Sequence, residues 1–131
     1  MQRVTGIGGV FIKSKDVKAL AAWYDKHLGF SFGENSYVNF SWVNENNPAV
    51  PGNTVFSFFK KESKYFDPSA SPFMINFRVK DLAALLEALK KEGVEIVGEM
   101  MDESYGKFGW ILDPDGNKIE LWEPVDDKPG K

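Results

Sequence analysis

Glu120 stands in the run Lys118-Ile119-Glu120-Leu121-Trp122, which the turn Asp113-Pro114-Asp115-Gly116-Asn117 joins to the run Phe108-Gly109-Trp110-Ile111-Leu112. Proline and glycine in that turn fit a tight hairpin. Strand alternation sets Leu112 across from Lys118, Trp110 across from Glu120 and Phe108 across from Trp122 on one face, and leaves Ile111, Ile119 and Leu121 for the other. A carboxylate among aromatic rings has three uses. It can take a proton as a general base, orient a ligand N–H or O–H, or be neutralised by a cation such as Arg78, Lys13 or Lys118. The residues leave all three open. Tyr105, in the segment Ser104-Tyr105-Gly106-Lys107 before the hairpin, can serve as a lid over this face or form a plain surface turn.

Other chemistries are narrowed by what the chain lacks. With no cysteine and one histidine among 131 residues, thiolate catalysis, thiolate metal sites and the usual Ser-His or Cys-His nucleophile arrangements have no residues to build them. The segment Gly6-Ile7-Gly8-Gly9 leads into a strand and not from a strand into a helix, so it lacks the context of a phosphate loop. The net charge is −3 without a basic block, so no nucleic-acid partner is expected. The first twenty residues carry no basic segment followed by an apolar run, and no apolar stretch is long enough to span a bilayer. No membrane partner is therefore expected, and a soluble cytoplasmic protein is. The aromatic share of 15% stands out, because rings of this number fill cores or line ligand clefts.

The elements that must position these residues occur twice. Residues 11–30, FIKSKDVKALAAWYDKHLGF, align with residues 76–95, NFRVKDLAALLEALKKEGVE, through Lys15 and Lys80, Asp16 and Asp81, Ala19 and Ala84, and Leu20 and Leu85. Further on, GNTVFSF from Gly52 aligns with GNKIELW from Gly116. Val4 to Lys13 and Phe73 to Val79 read as strands. Each precedes a helix opened by an aspartate cap and closed near a glycine, Gly29 or Gly93. Leu82, Leu85, Leu86 and Leu89 form one helical face, as do Val17, Leu20, Ala21, Tyr24 and Leu28. Three more strands are expected to finish each half; in the second they are about Val94 to Gly98, Phe108 to Leu112 and Lys118 to Trp122. The expected plan is a single domain over 1–131. Its first module spans about 4–60, a linker 61–71, a second module about 72–124 and a tail 125–131.

This duplicated unit, with FRVKD before an amphipathic helix, the helix end WYDKHLGF and the closing DPDGNKIELWEP, resembles the vicinal oxygen chelate superfamily, which includes glyoxalase I, extradiol dioxygenases, and fosfomycin- and bleomycin-resistance proteins. The resemblance covers about Thr5 to Pro124 and implies an α+β fold of two βαβββ modules, a cup-shaped sheet with helices outside and a ligand inside. It also implies metal positions on each module's first and last strands. Those positions fall on Gly9, Met74, Phe56 and Glu120, of which Glu120 alone has a side chain that a hard or borderline divalent ion selects. No metal and no cofactor is therefore expected. His27, near the end of the first helix, falls outside the cup.

With the resemblance setting the inward phase, the cup lining is Phe11, Phe56, Phe58, Met74, Phe108, Trp110 and Trp122 around Asn76, Arg78 and Glu120. Gly9, Lys13 and Thr54 share that phase, while Val10, Ile12, Ile75, Phe77 and Val79 face the helices. The expectation is a homodimer that binds a small, largely apolar or aromatic molecule without metal. Two alternatives stand beside it: a glyoxalase-like lyase or isomerase using Glu120 as general base or metal ligand, and an interaction protein whose cup is filled by its own side chains.

Overall fold

The computed structural model describes residues 3–45 and 47–125. Its elements follow in the order β1 (Val4–Ser14), α1 (Val17–Leu28), β2 (Tyr37–Trp42), β3 (Gly52–Lys60), β4 (Phe73–Val79), α2 (Leu82–Lys91), β5 (Met101–Glu103), β6 (Gly106–Leu112) and β7 (Lys118–Pro124). The seven strands form one sheet in the order β2-β3-β1-β4-β7-β6-β5. At its centre the first strands of the two modules, β1 and β4, run antiparallel, and each is flanked by a parallel partner, β3 and β7. The α+β duplicated fold is as expected. Of the expected tail, all but Val125 lies outside the described residues.

Both helices begin as the capping pattern requires. Asp16 and Asp81 have extended backbones, and each accepts a hydrogen bond at 3.1 Å from the amide three residues on, Ala19 or Ala84. Gly29 closes α1 at φ 70°. The opening of α2 has a second support, because the buried Glu123 on β7 accepts from the Leu82 amide at 2.8 Å.

The helices cover one side of the sheet with two different cores. Under α1, Ala21, Phe32 and Phe58 are buried with Ile12, Leu20, Tyr24, Phe30 and Phe56 against them. Under α2, Val79, Leu82, Leu85 and Leu121 are buried with Phe77, Leu86, Leu89, Ile111 and Ile119. A third cluster, Phe11, Phe66, Met74 and Trp110, occupies the face opposite the helices, with Val55, Phe59 and Phe108 beside it. Full burial of each such side chain contributes about 1.5–3 kcal/mol.

Three expectations are corrected here. The first module has two strands after its helix, not three. The chain between α1 and β2 is held in a compact turn, with the Asp25 carboxylate accepting from the amides of Phe32 and Gly33 at 2.8 and 3.0 Å, so Phe32 drops into the core instead of extending along the sheet. Val94 to Gly98 is not a regular strand. Ile96 makes a lone bridge to Ile111, and Gly98 at φ 70° turns the chain before the short β5 pairs with β6. Third, Phe56 and Phe58 do not line the cup but pack under α1. The run Phe56-Ser57-Phe58-Phe59 places rings on both faces, and it is Val55 and Phe59 that face away from the helices.

Candidate functional site

The β6–β7 hairpin sets the site. Its register pairs Leu112 with Lys118, Trp110 with Glu120 and Phe108 with Trp122. The turn is fastened by the Asp113 carboxylate, which accepts from the Asp115 amide and from the amide and side chain of Asn117. The Asn117 side chain, more than any other group, holds the Asp113 carboxyl below its ordinary value. On the other side β7 runs parallel to β4, with Asn76 beside Glu120 and Arg78 beside Trp122. Three adjacent strands, β4, β7 and β6, therefore bring a carboxylate, an amide, a guanidinium and two indoles to the face opposite the helices.

Glu120 is 3% exposed and is met by three donors. Asn76 Nδ2 donates to Oε1 at 2.6 Å, Trp110 Nε1 donates to Oε2 at 2.9 Å, and the Tyr65 hydroxyl donates to the same Oε2. Burial, and then the charge of Glu120, raise the Tyr65 phenol above its ordinary value, so it stays a donor. Lys118 donates to the Tyr65 carbonyl at 2.7 Å, and its ammonium lies over the rings of Tyr65 and Trp110. Burial lowers its pKa, against the pull of Glu120. These contacts answer one of the questions the sequence left open: the carboxylate is satisfied chiefly by neutral donors, with the Lys118 cation set on the surrounding rings.

Arg78 is fully buried between two indoles, its guanidinium carbon 5.4 Å from the Trp42 ring centre and 5.0 Å from that of Trp122. The Trp42 indole is fixed by its Nε1, which donates to Thr54 Oγ1 at 2.8 Å; that hydroxyl in turn donates to the Ile7 carbonyl. Phe108 stacks parallel to Trp122 with ring centres 6.0 Å apart. Tyr105 is 60% exposed and touches Phe108 edge-on. His27 packs against Trp23 on α1 with the ring planes tilted by 42°, away from this face.

The structure thus brings Phe11, Met74, Asn76, Arg78, Phe108, Trp110, Glu120 and Trp122 to one face, leaves Tyr105 at its rim and removes Phe56 and Phe58. Sequence reasoning missed Trp42, Tyr65 and Phe66. The last two sit in the segment read as a polar linker. There Phe66 is completely buried against Phe11 and Met74, and Lys13 lies over its ring. Two adjacent rings amid lysine, glutamate and serine were the available signal.

The positions at which the resemblance implies a metal do not fit a divalent ion. Gly9 offers no side chain, Met74 is sealed in an apolar cluster, and the oxygens of Glu120 are taken by three donors. Strand pairing also moves the fourth position. Phe11 on β1 pairs with Ser57, as Asn76 on β4 pairs with Glu120, so the counterpart of Glu120 is Ser57, whose hydroxyl donates to the Ser36 carbonyl at 3.3 Å. Among the described residues no three His, Cys, Asp or Glu side chains gather as a metal cluster, and no helix is long and apolar enough to cross a membrane.

The family model for the Glyoxalase/Bleomycin resistance protein/Dioxygenase superfamily matches residues 6–121. No curated protein matches the chain. Among solved structures, methylmalonyl-CoA epimerase from Mycobacterium tuberculosis is similar at 23% identity, covering 95% of this chain and 91% of that one, with a TM-score of 0.58. A variant of the Streptomyces coelicolor methylmalonyl-CoA epimerase in complex with 2-nitronate-propionyl-CoA is similar at 18% identity, 96% and 99% coverage and a TM-score of 0.64. A superfamily member from Vibrio splendidus 12B01 is similar at 13% identity, 89% and 97% coverage and a TM-score of 0.60.

Proposed function

Because the chain belongs to the glyoxalase/bleomycin resistance protein/dioxygenase superfamily, we propose that it binds a small, flat, largely apolar molecule on the sheet face opposite the helices, without a metal ion. The observation that carries this reading is the buried Glu120 carboxylate, held by Tyr65, Asn76 and Trp110 within an aromatic wall. Such a face offers apolar area together with a few fixed polar groups, the composition of small-molecule sites. The bound acyl-CoA analogue in the structurally similar Streptomyces epimerase supports a ligand site in this fold without naming the ligand here.

In this reading Glu120 orients its neighbours. Its two oxygens receive three hydrogens and the residue is only 3% exposed, so its charge is engaged chiefly in holding Tyr65, Asn76 and Trp110 in place. A homodimer belongs to the same proposal, and sedimentation equilibrium is its check: a monomer mass removes it.

One observation favours a second reading. Phe66 and Tyr65 reach into the face from the segment between the modules, which suits a cup filled by its own chain. A thermal-shift screen of small aromatic compounds, read together with tryptophan quenching, separates the two. Binding raises the melting temperature by mass action, by about 2.7 kcal/mol of stabilisation at a hundredfold excess over Kd. A screen in which no compound moves either signal overturns the binding proposal in favour of the filled cup.

A further inference from the structure

At the Arg78 end of this face, two buried polar atoms have no hydrogen-bond partner: Oδ1 of Asn76, an acceptor, and Nε1 of Trp122, a donor. The Asn76 amide is anchored by its nitrogen on Glu120, which directs Oδ1 away from that carboxylate. Asn76, Arg78 and Trp122 converge on Gly8. A Cβ at Gly8 would stand 2.2 Å from Asn76 Oδ1 and 3.0 Å from both Arg78 Cγ and the Trp122 ring, so glycine is what lets the three groups meet over β1. The two indoles cover the flat sides of the Arg78 guanidinium, so its N–H groups project in the plane between them; Nη1 makes a long contact of 3.4 Å to the Asn53 carbonyl.

We propose that this end anchors the polar head of the ligand, and that the head is a carboxylate with a hydroxyl on the neighbouring carbon of a flat ring, as in 2-hydroxybenzoate. The inference rests on the binding reading above and specifies the chemistry of the ligand. The indole N–H and the guanidinium are donors suited to carboxylate oxygens, and Asn76 Oδ1 accepts the hydroxyl hydrogen. Glu120, a like charge with its oxygens already engaged, repels a carboxylate from the other end of the face and so sets the orientation. The body of the ring lies along the Phe108 and Trp122 stack. Trp42 and Trp122 are only partly buried, so a ligand reaches the anchor by shifting side chains at the rim. A donor buried without a partner is costly, and a ligand that supplies the partner accounts for its presence.

Calorimetric titration of the whole chain and of Trp122→Phe with 2-hydroxybenzoate, benzoate and phenol tests the anchor. Phenylalanine keeps a ring and removes only the N–H, which has no partner to lose, so the melting temperature is expected to stay where it is. The unaltered protein is expected to bind 2-hydroxybenzoate at least about tenfold more tightly than either analogue, and Trp122→Phe to lose about tenfold in affinity for it. Equal binding of the three compounds, or a variant that binds 2-hydroxybenzoate as well as the parent, overturns the anchor and leaves the aromatic face standing as a site. A marked loss of stability in Trp122→Phe also overturns it, because the N–H would then have a partner within the protein. If neither these compounds nor any flat aromatic binds, the binding reading falls as well.

Discussion

Under α1 the sheet buries rings, with Phe32 stacked on Phe58 at 5.0 Å and Tyr24, Phe30 and Phe56 around them. Under α2 it buries leucines. On the opposite face the assignment reverses. The second module supplies the carboxylate, the amide and the guanidinium on β4 and β7, whereas the first presents Gly9, Phe11, Val55 and Phe59. Duplication of a strand-helix unit does not require both copies to carry the same chemistry. Here the first copy has become mainly scaffold and the second holds the polar groups. The aromatic excess of the sequence therefore divides between a structural core and a candidate ligand face.

Substitutions that treat the modules differently probe this division. The largest effect is expected from Phe32→Ala, which opens a void in the fully buried aromatic core and costs about 3–5 kcal/mol in urea unfolding. It is expected to leave the ligand affinity of the folded protein unchanged, and a parallel loss of affinity would break the separation of scaffold from site. Glu120→Gln comes next. It removes the charge that three donors address and places an amide nitrogen where only acceptors fit, so a loss of about 1–3 kcal/mol is expected along with weaker ligand binding. Unchanged binding would take Glu120 out of the site.

A smaller effect concerns Tyr65. Its phenol is raised in the folded protein, first by burial and then by the Glu120 charge. The stabilisation from this neutral phenol is fully present below the ordinary tyrosine value of about 10 and is lost as pH rises above it, when the unfolded chain ionises first. The wild-type unfolding midpoint is thus expected to fall more steeply above pH ~10 than that of Tyr65→Phe. The difference between the tyrosinate absorbance titrations of the wild type and Tyr65→Phe is expected to show Tyr65 ionising above the ordinary tyrosine value. The smallest effects are at the helix caps. Asp16→Ala is expected to cost about 1 kcal/mol and Asp81→Ala less, because Glu123 still receives the Leu82 amide at the start of α2. Equal losses would show that the Glu123 contact adds nothing.

The parts of the molecule that could be read from the sequence are those governed by local rules. Both aspartate caps, the glycine end of α1 and the full register of the β6–β7 hairpin follow from short-range chemistry, and the structure has them as expected. That hairpin alone placed Glu120 between Trp110 and Trp122. The phase of β3 was not legible, because adjacent rings at Phe58 and Phe59 satisfy either face and α1 decides which are taken. The place of Trp42 depends on long-range packing over Arg78. Tyr65 was hidden for a related reason: a polar connecting segment signals only that it leaves the strand, and nothing local says that its rings return across the sheet to Glu120.

The most direct test uses the four tryptophan indole N–H signals in a proton–nitrogen NMR spectrum. On titration with a small flat aromatic compound, saturable shifts are expected at Trp110 and Trp122, which lie on the face opposite the helices. None is expected at Trp23, which is half exposed on α1. Shifts confined to Trp23, or no shift at any indole at saturating ligand, would contradict it.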